Sequence, residues 1–517
     1  MRLTSYWLIE ETVIPRLGSA VAAAVVTVAG LAGCSSSANS GPLVQPTTST
    51  AVVAKPPASL AVFYGQHLLW HECADGLRCT KLLVPLDYSK PTGRRLHIAV
   101  IEEKSSSSPQ GSLIINPGGP GASGVQFVEE DGDLFKPLMS HLNLVSFDPR
   151  GVGASDPIRC LTGSQLDAFV NLDPNPTTAQ ERAATIRQSR NFANACYQKN
   201  GSYLEHIGTI DEARDMDVLR AALGDAKLTY YGASYGTYLG AKYAQLFPTH
   251  VRAMVLDGAL DPAEPETAAN LVQAKGFETD LDDFVAYCAK SGKCPFGSTA
   301  STAMSGLDAL IAQIKAHPLH SNGRVVGPGE FFEGLAAGLY STGSWPGLES
   351  VLGAAKDGNG AGILLFADSL TERNTNGTYS NVIESNLAIN CVDRPSPTSV
   401  ATYEKYAAKF AKVAPHFGAA IEYGSLPCAF WKVPPVESPH PVTALGAPPI
   451  LVIGTTRDPA TPFVWAQALA RQLSSGVLLT HDGDGHTAYI DKDPCVDSVV
   501  AKYVIDLRPP KPGTVCK

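Results

Sequence analysis

The sequence predicts an α/β fold, a mostly parallel sheet carrying a large inserted helical lid, and three observations lead there. From Thr80 onward, short β-rich runs alternate with helical ones. Each run is too short for a helix and is closed by Gly, Pro or Asp turn chemistry. Between Asp261 and about Pro448 the alternation stops, and amphipathic helical stretches broken by Gly/Pro/Ser loops follow one another.

In chain order, residues 1–33 read as a lipoprotein signal peptide. An apolar Ala/Val run over 19–33 follows Arg16 and ends in Leu31-Ala32-Gly33-Cys34, which resembles a bacterial lipobox with Cys34 as the lipid attachment site. A membrane-spanning anchor is the alternative, but this run is shorter than the roughly 20 residues a span needs. Glu10 and Glu11, ahead of Arg16, depart from the usual leader pattern and leave an internal start open. Residues 34–58 are rich in Ser, Thr and Pro and read as a flexible tether. The first part of the core is expected over 59–261, the lid over 262–448, and the second part of the core over 449–517.

Within the core, strands are predicted at 113–116, 142–147, 228–231, 253–256, 450–453 and 477–480. Their C-terminal ends matter, because ligands gather there in open α/β sheets. In the lid, helices are predicted over 268–288 and 331–340. The 11 cysteines leave 10 once Cys34 is set aside: Cys73, Cys79, Cys160, Cys196, Cys288, Cys294, Cys391, Cys428, Cys495 and Cys516. They fall in sequential pairs with modest loops, as local disulfides outside the cytoplasm would, although sequence alone does not settle connectivity. There is no CxxC and no HExxH, so neither a metal nor any other cofactor is expected. The formal net charge of −9 argues against nucleic acid as a partner.

The chemistry concentrates after three strands. Gly232-Ala233-Ser234-Tyr235-Gly236 matches the tight strand-to-helix turn that exposes a nucleophilic serine. A serine hydroxyl needs an imidazole to take its proton and a carboxylate to hold that imidazole's tautomer. In the order Ser, acid, His, the candidates are Asp458, in the loop after 450–453, and His486, in Asp484-Gly485-His486 after 477–480. His481 lies at a strand end, where a structural role fits better. Asp482 and Asp484 are too close in sequence to His486 to replace Asp458 comfortably. Thr461 is placed either to brace the Asp458 loop or to cap a helix. Oxyanion donors are expected from the Tyr235 N–H and from Gly118 or Gly119, in Asn116-Pro117-Gly118-Gly119-Pro120-Gly121, where glycine lets the main chain approach a substrate.

These motifs, with Asp148-Pro149-Arg150-Gly151-Val152-Gly153-Ala154-Ser155 and Asp257-Gly258, resemble the secreted bacterial tripeptidyl aminopeptidases, α/β-hydrolases related to prolyl iminopeptidases. The resemblance covers roughly residues 70 to 517. It implies cleavage of peptides or esters through an acyl-enzyme under a helical lid, and Ala388-Ile389-Asn390-Cys391-Val392-Asp393 resembles a recurring piece of that lid. Pro117 departs from the histidine of prolyl iminopeptidases and places the chain on the tripeptidyl branch. An aminopeptidase must hold a free ammonium group, and Asp393 and Glu384 are the candidates for it. Three readings follow: a serine aminopeptidase releasing short peptides from free N-termini, a carboxylesterase or lipase with the same triad, and an inactive relative used as a surface binding protein. The expected partners are a peptide or ester substrate and, through Cys34, the outer face of the membrane or the cell wall.

Overall fold

The computed structural model describes residues 57–517, so the signal-peptide, Cys34 and most of the tether assignments lie outside the described residues. Ten strands form one sheet: β1 (His71–Ala74), β2 (Leu77–Pro85), β3 (Arg95–Glu103), β4 (Ser112–Asn116), β5 (Asn143–Phe147), β6 (Leu228–Ala233), β7 (Val251–Asp257) and, after the small hairpin β8 (Leu319–Ser321) and β9 (Arg324–Val326), β10 (Ile450–Arg457), β11 (Gly476–Asp484) and β12 (Val515–Cys516). The spatial order is β1-β2-β3-β5-β4-β6-β7-β10-β11-β12. β1, β2 and β3 pair antiparallel, β3 meets β5 antiparallel, and from β5 to β12 every pairing is parallel. This is the α/β-hydrolase architecture, a mostly parallel sheet under a helical cover.

Side-chain alternation explains why the middle strands read as unbroken apolar runs. β4 and β6 are buried at every position, because helices cover both faces of the parallel part of the sheet. Ile114, Val145, Tyr230, Met254 and Val452 point into one layer, and Leu113, Leu144, Tyr231, Val255 and Ile453 into the other. The six predicted strands are all present, each extended by one to five residues or trimmed by one. The antiparallel strands β1 to β3 were not predicted, although β3 opens with a plain alternation, Arg95 and His97 exposed and Leu96 and Ile98 buried.

Helices Glu266–Ser291 through Gly418–Gly424 stand between β7 and β10 and have an apolar core of their own, around Phe277, Leu281, Leu307, Leu335, Leu348 and Phe417. A second contribution to the cover comes from inside the expected first core segment. Helices Gly163–Val170 and Ala179–Asn200 lie between β5 and β6, and their Phe169, Val170, Thr185 and Ser189 line the same cavity as lid residues. Both helices open with a capping box on Thr162 and Thr178, so in sequence they look like ordinary crossover helices. Five disulfides join Cys73 to Cys79, Cys160 to Cys196, Cys288 to Cys294, Cys391 to Cys428 and Cys495 to Cys516, which is the sequential order. No helix among the described residues is long and apolar enough to cross a membrane.

A buried ion pair holds the loop after β5. Arg150 is fully buried and donates Nε and Nη2 to the two oxygens of Asp215, each at 2.7 Å, and Nη1 to the carbonyl of His206 at 2.7 Å. Tyr88 Oη donates to the same carboxylate at 2.7 Å. Removing the guanidinium leaves a buried charge without its partner. Arg150→Met is therefore expected to lower the free energy of unfolding by about 3–5 kcal/mol, read as an earlier midpoint in guanidinium denaturation at unchanged m-value.

Candidate active site

Ser234 sits between β6 and the helix Tyr235–Leu246 with φ 54° and ψ −122°. Such a backbone costs of order 1–3 kcal/mol for a non-glycine residue and aims the side chain off the end of the sheet. The surroundings hold it there. Ser234 N donates to Asp257 O at 2.9 Å, and the Ser234 carbonyl accepts from Thr237 N at 2.9 Å and Thr237 Oγ1 at 2.6 Å.

The candidate acid and base come from the loops after β10 and β11. His486 Nδ1 lies 2.9 Å and 3.0 Å from the two oxygens of Asp458. Asp458 is 2% exposed; its Oδ1 also accepts from Ala460 N at 3.0 Å and Thr461 N at 2.8 Å, and its Oδ2 from Thr461 Oγ1 at 2.9 Å. Thr461 thus braces the acid, and its hydroxyl is also 3.2 Å from His486 Nδ1. Burial by itself would push the imidazole down, but the charge and hydrogen bond of Asp458, with Asp257 and Asp491 behind it, outweigh burial and hold His486 above its ordinary value. The lid closes on this histidine: Tyr340 O accepts from His486 N at 2.8 Å, and the Tyr340 ring meets the imidazole edge-on at 5.4 Å between centroids.

Asp257-Gly258 connects the serine turn to the histidine loop. The Asp257 carbonyl takes Ser234 N, while its buried carboxylate takes Ala488 N at 3.1 Å, Tyr489 N at 2.9 Å and Tyr231 Oη at 2.9 Å. Gly258, at φ +68°, is strained for any side chain, and a Cβ there would crowd the site, standing 3.2 Å from His486 Cε1 and 3.0 Å from Thr461 Oγ1. Sequence reasoning had noticed this dipeptide as a motif and missed its carboxylate's role as a clamp.

The two expected glycine donors separate. The Gly118 N–H is taken by Asn116 Oδ1 at 2.9 Å, and a Cβ on Gly118 would fall 2.6 Å from Ala233 O. Gly118 is therefore the close-packed residue under the serine turn and not an available donor, which corrects the expectation for it. Gly119 lines the cavity beside Ser234 and Tyr235. Its N–H and that of Tyr235 carry no protein acceptor among the described residues.

The other candidates separate as clearly. His481 Nδ1 pairs with Thr455 Oγ1 at 3.2 Å, away from Asp458. Asp484 is bound by Arg457, as is Asp482 at 3.5 Å. Glu384 is fully buried, accepts from Leu161 N at 2.8 Å and from Cys160 N, and is not on the cavity wall. Its carboxylate ties the 160–161 segment to the helix Val382–Asp393, so it is corrected from ammonium ligand to internal tie. Asp393 does line the cavity. One of its oxygens accepts from Thr209 N at 2.7 Å and the other from Thr209 Oγ1 at 2.5 Å, and burial pushes its pKa up to about 6.

The cavity holds about 560 Å³. Ser234, Tyr235, Gly119, Thr461 and Tyr340 mark its reacting end. Phe169, Leu172, Phe332 and Leu387 make its apolar wall, and Glu266, Glu333 and Asp393 stand in it as acids. Sequence reasoning missed Glu266 and Glu333 among the many ordinary lid acids. A smaller concavity of about 360 Å³ beside Glu129, Asp148 and Glu372 is not lined by Ser234, the one triad candidate that lines the larger cavity.

Comparison with known proteins gives the same picture. Residues 414–516 match a family described as TAP-like protein. Serine protease Hip1 of Mycobacterium tuberculosis is 37% identical over 476 residues, covering 87% of this chain and 91% of that protein. Carboxylesterase B of the same organism is 38% identical over 86% of this chain and 89% of its own length. Tripeptidyl aminopeptidase of Streptomyces lividans is 32% identical over 86% of each chain. On fold, sequence and coverage together, the chain is a serine hydrolase and belongs to the TAP-like family of α/β-hydrolases.

Proposed function

We propose that the chain is an exported serine aminopeptidase, lipid-anchored through Cys34, that releases short peptides, tripeptides above all, from free N-termini. Ser234 Oγ attacks the scissile carbonyl carbon while His486 Nε2 takes its proton, and Asp458 holds the imidazole with its Nδ1 protonated. The carbonyl oxygen becomes an oxyanion between the N–H groups of Tyr235 and Gly119. As the C–N bond breaks, His486 returns the proton to the leaving amine, leaving the released peptide as an ester on Ser234. Water, deprotonated by His486, then hydrolyses that ester and regenerates the serine.

The observation that carries the aminopeptidase reading is the acid-lined cavity that Ser234 lines. A cavity of about 560 Å³ takes a few residues, and carboxylates in its wall suit a cationic end. The name of the Streptomyces relative supports the tripeptide length. Export is supported by the five disulfides and the lipobox pattern before Cys34.

An esterase reading has its own support in the apolar wall and in the relative named carboxylesterase B. A substrate panel separates the two. The enzyme is expected to turn over tripeptide p-nitroanilides with a free N-terminus at least about tenfold faster, in kcat/KM, than their N-acetylated forms, close to the lower end of what one charged hydrogen bond supplies. Equal rates on free and blocked peptides remove the aminopeptidase reading, and activity confined to p-nitrophenyl esters installs the other.

A further inference from the structure

Oxygens of four buried residues stand in a row behind the serine turn: Asp393 Oδ2, Thr209 Oγ1, Tyr235 Oη and Glu212 Oε2. Thr209 Oγ1 donates to Asp393 Oδ2 at 2.5 Å, Thr209 Oγ1 and Tyr235 Oη are in hydrogen-bond contact, and Tyr235 Oη lies 3.1 Å from Glu212 Oε2. The row joins the lid helix Val382–Asp393, the helix Thr209–Ala222 and the nucleophile helix Tyr235–Leu246. Its Glu212 end continues toward the glycine loop. Asn116 Nδ2 lies 3.4 Å from Glu212 Oε1, and Asn116 Oδ1 takes the Gly118 N–H at 2.9 Å, next to Gly119. Glu212 thus touches the side chain of one oxyanion donor residue and the asparagine that holds the loop of the other. It does not line the cavity itself.

The three contacts in the row each need one hydrogen, and the hydroxyls of Thr209 and Tyr235 supply two. With both carboxyls ionised, Thr209 would donate to Asp393 and Tyr235 to Glu212. The contact between Thr209 and Tyr235 would then set lone pair against lone pair. The third hydrogen therefore sits on one of the carboxyls, and Asp393 is the poorer holder. Its charge is met by the Thr209 N–H at 2.7 Å and by Arg394, and burial brings it only to about 6. Glu212 is completely buried, and burial, with the charges of Asp393 and Asp215, pushes it up to about 8 against the Tyr235 hydroxyl and Arg150. These are the titratable and charged groups that face it: Tyr235 from the nucleophile helix, Asp393 from the lid, Asp215 from its own helix and Arg150 from the loop after β5. Arg150 and Asp215 are already paired with each other.

We infer that Glu212 carries this hydrogen as a neutral carboxylic acid, donates it to Tyr235 Oη, and so acts as the positioning residue for the oxyanion site; this rests on the reading of Tyr235 and Gly119 as the oxyanion donors. Donation then runs from Glu212 to Tyr235, from Tyr235 to Thr209 and from Thr209 to Asp393, and every contact holds one hydrogen. When Glu212 ionises, two carboxylates compete for the hydrogens of Thr209 and Tyr235. The phenol turns its hydrogen to Glu212, its contact with Thr209 opens, and the Tyr235 N–H at the other end of the residue loses its fixed aim. A misplacement of about 1 Å at a reacting centre costs up to about 100-fold in rate. The protonated form is the competent one, so kcat falls as pH rises through about 8.

The test follows p-nitrophenyl acetate hydrolysis, corrected for the spontaneous rate, in the wild type, Glu212→Gln and Glu212→Ala. Rates are normalised to active sites titrated with a fluorophosphonate, so that misfolded enzyme does not count. Glu212→Ala is expected to lower kcat at neutral pH by about tenfold and to change KM by less than about twofold, because Glu212 does not reach the cavity. Glu212→Gln, whose amide donates to Tyr235 Oη and has no proton to lose, should recover most of that kcat. Wild-type kcat should fall at least about tenfold above a pH of about 8, and Glu212→Gln should hold its rate there. Infrared spectra taken below and above that pH supply a readout besides activity. The wild-type difference minus the Glu212→Gln difference should contain a protonated-carboxyl C=O band that disappears at the higher pH. A wild type without the alkaline fall, a fall shared by Glu212→Gln, or a double difference without the band overturns the inference and leaves the acyl-enzyme reading standing. Hydrolysis undiminished in Ser234→Ala overturns both.

Discussion

Ser234→Ala is expected to lower kcat on peptide substrate by about 10⁵- to 10⁶-fold, the loss seen when the nucleophile of a serine-histidine-aspartate set is removed, and to abolish labelling by a fluorophosphonate. The side chain has no substitute nearby: Thr237 Oγ1, the closest hydroxyl along the helix, is committed to Ser234 O and to Leu260 N. Stability should change little, because the Ser234 hydroxyl anchors nothing in the fold and alanine accepts the same backbone at the same cost. Ser234→Gly makes the prediction sharper. It removes the hydroxyl and also relieves the positive φ of 54°, so it should be equally inactive yet melt higher, by up to the ~1–3 kcal/mol stored at such positions. A labelled, active Ser234→Ala enzyme would place the nucleophile elsewhere and dismantle the proposed site.

Much of this site was legible because chemistry hangs on strand ends, and strand ends carry short-range signals. Gly232 to Gly236 reads as a turn because the backbone at Ser234 demands small neighbours. Asp458 and His486 stand in loops that begin within a few residues of buried apolar runs. What was not legible depends on side chains choosing among distant partners. Gly118 and Gly119 are equivalent in sequence, and only Asn116 Oδ1, by taking one amide, tells them apart. Glu384 looked as available as any lid acid, yet it faces the backbone of Cys160 and Leu161, more than 200 residues earlier.

The helical cover shows the same limit. Its helices could be located from their periodicity, because an apolar stripe is a local property. Which acids they turn toward Ser234 could not. Glu266 lines the cavity while Glu422, on the helix packed beside it, is turned inward, its carboxylate taken by Asn270 across 152 residues of sequence. The helices at 163–200 were read as part of the core for a related reason: capping boxes announce where a helix starts and say nothing about which side of the sheet it covers.

Asp458→Asn is the second large effect, and its direction follows from the hydrogen bonds. Asparagine retains an oxygen for Ala460 N and Thr461 N, so the loop should keep its shape, and its amide nitrogen then faces Thr461 Oγ1 and His486 Nδ1. A donor there forces the imidazole into the tautomer with hydrogen on Nε2, where it has no lone pair to accept the proton of Ser234. The expected loss is about 10⁴-fold in kcat, with the fold intact by circular dichroism. The pH profile gives an independent check. The Asp458 charge is among the causes that hold His486 above its ordinary value, so the wild-type acid limb of kcat/KM should lie above the pH of a free imidazole. Without that charge the cation is less favoured, and the limb should move to lower pH. Measuring it with p-nitrophenyl acetate, which has no amine, keeps any carboxylate that binds a substrate ammonium out of the titration. A variant whose acid limb stays in place would show that Asp458 does not act on the imidazole that takes the serine's proton.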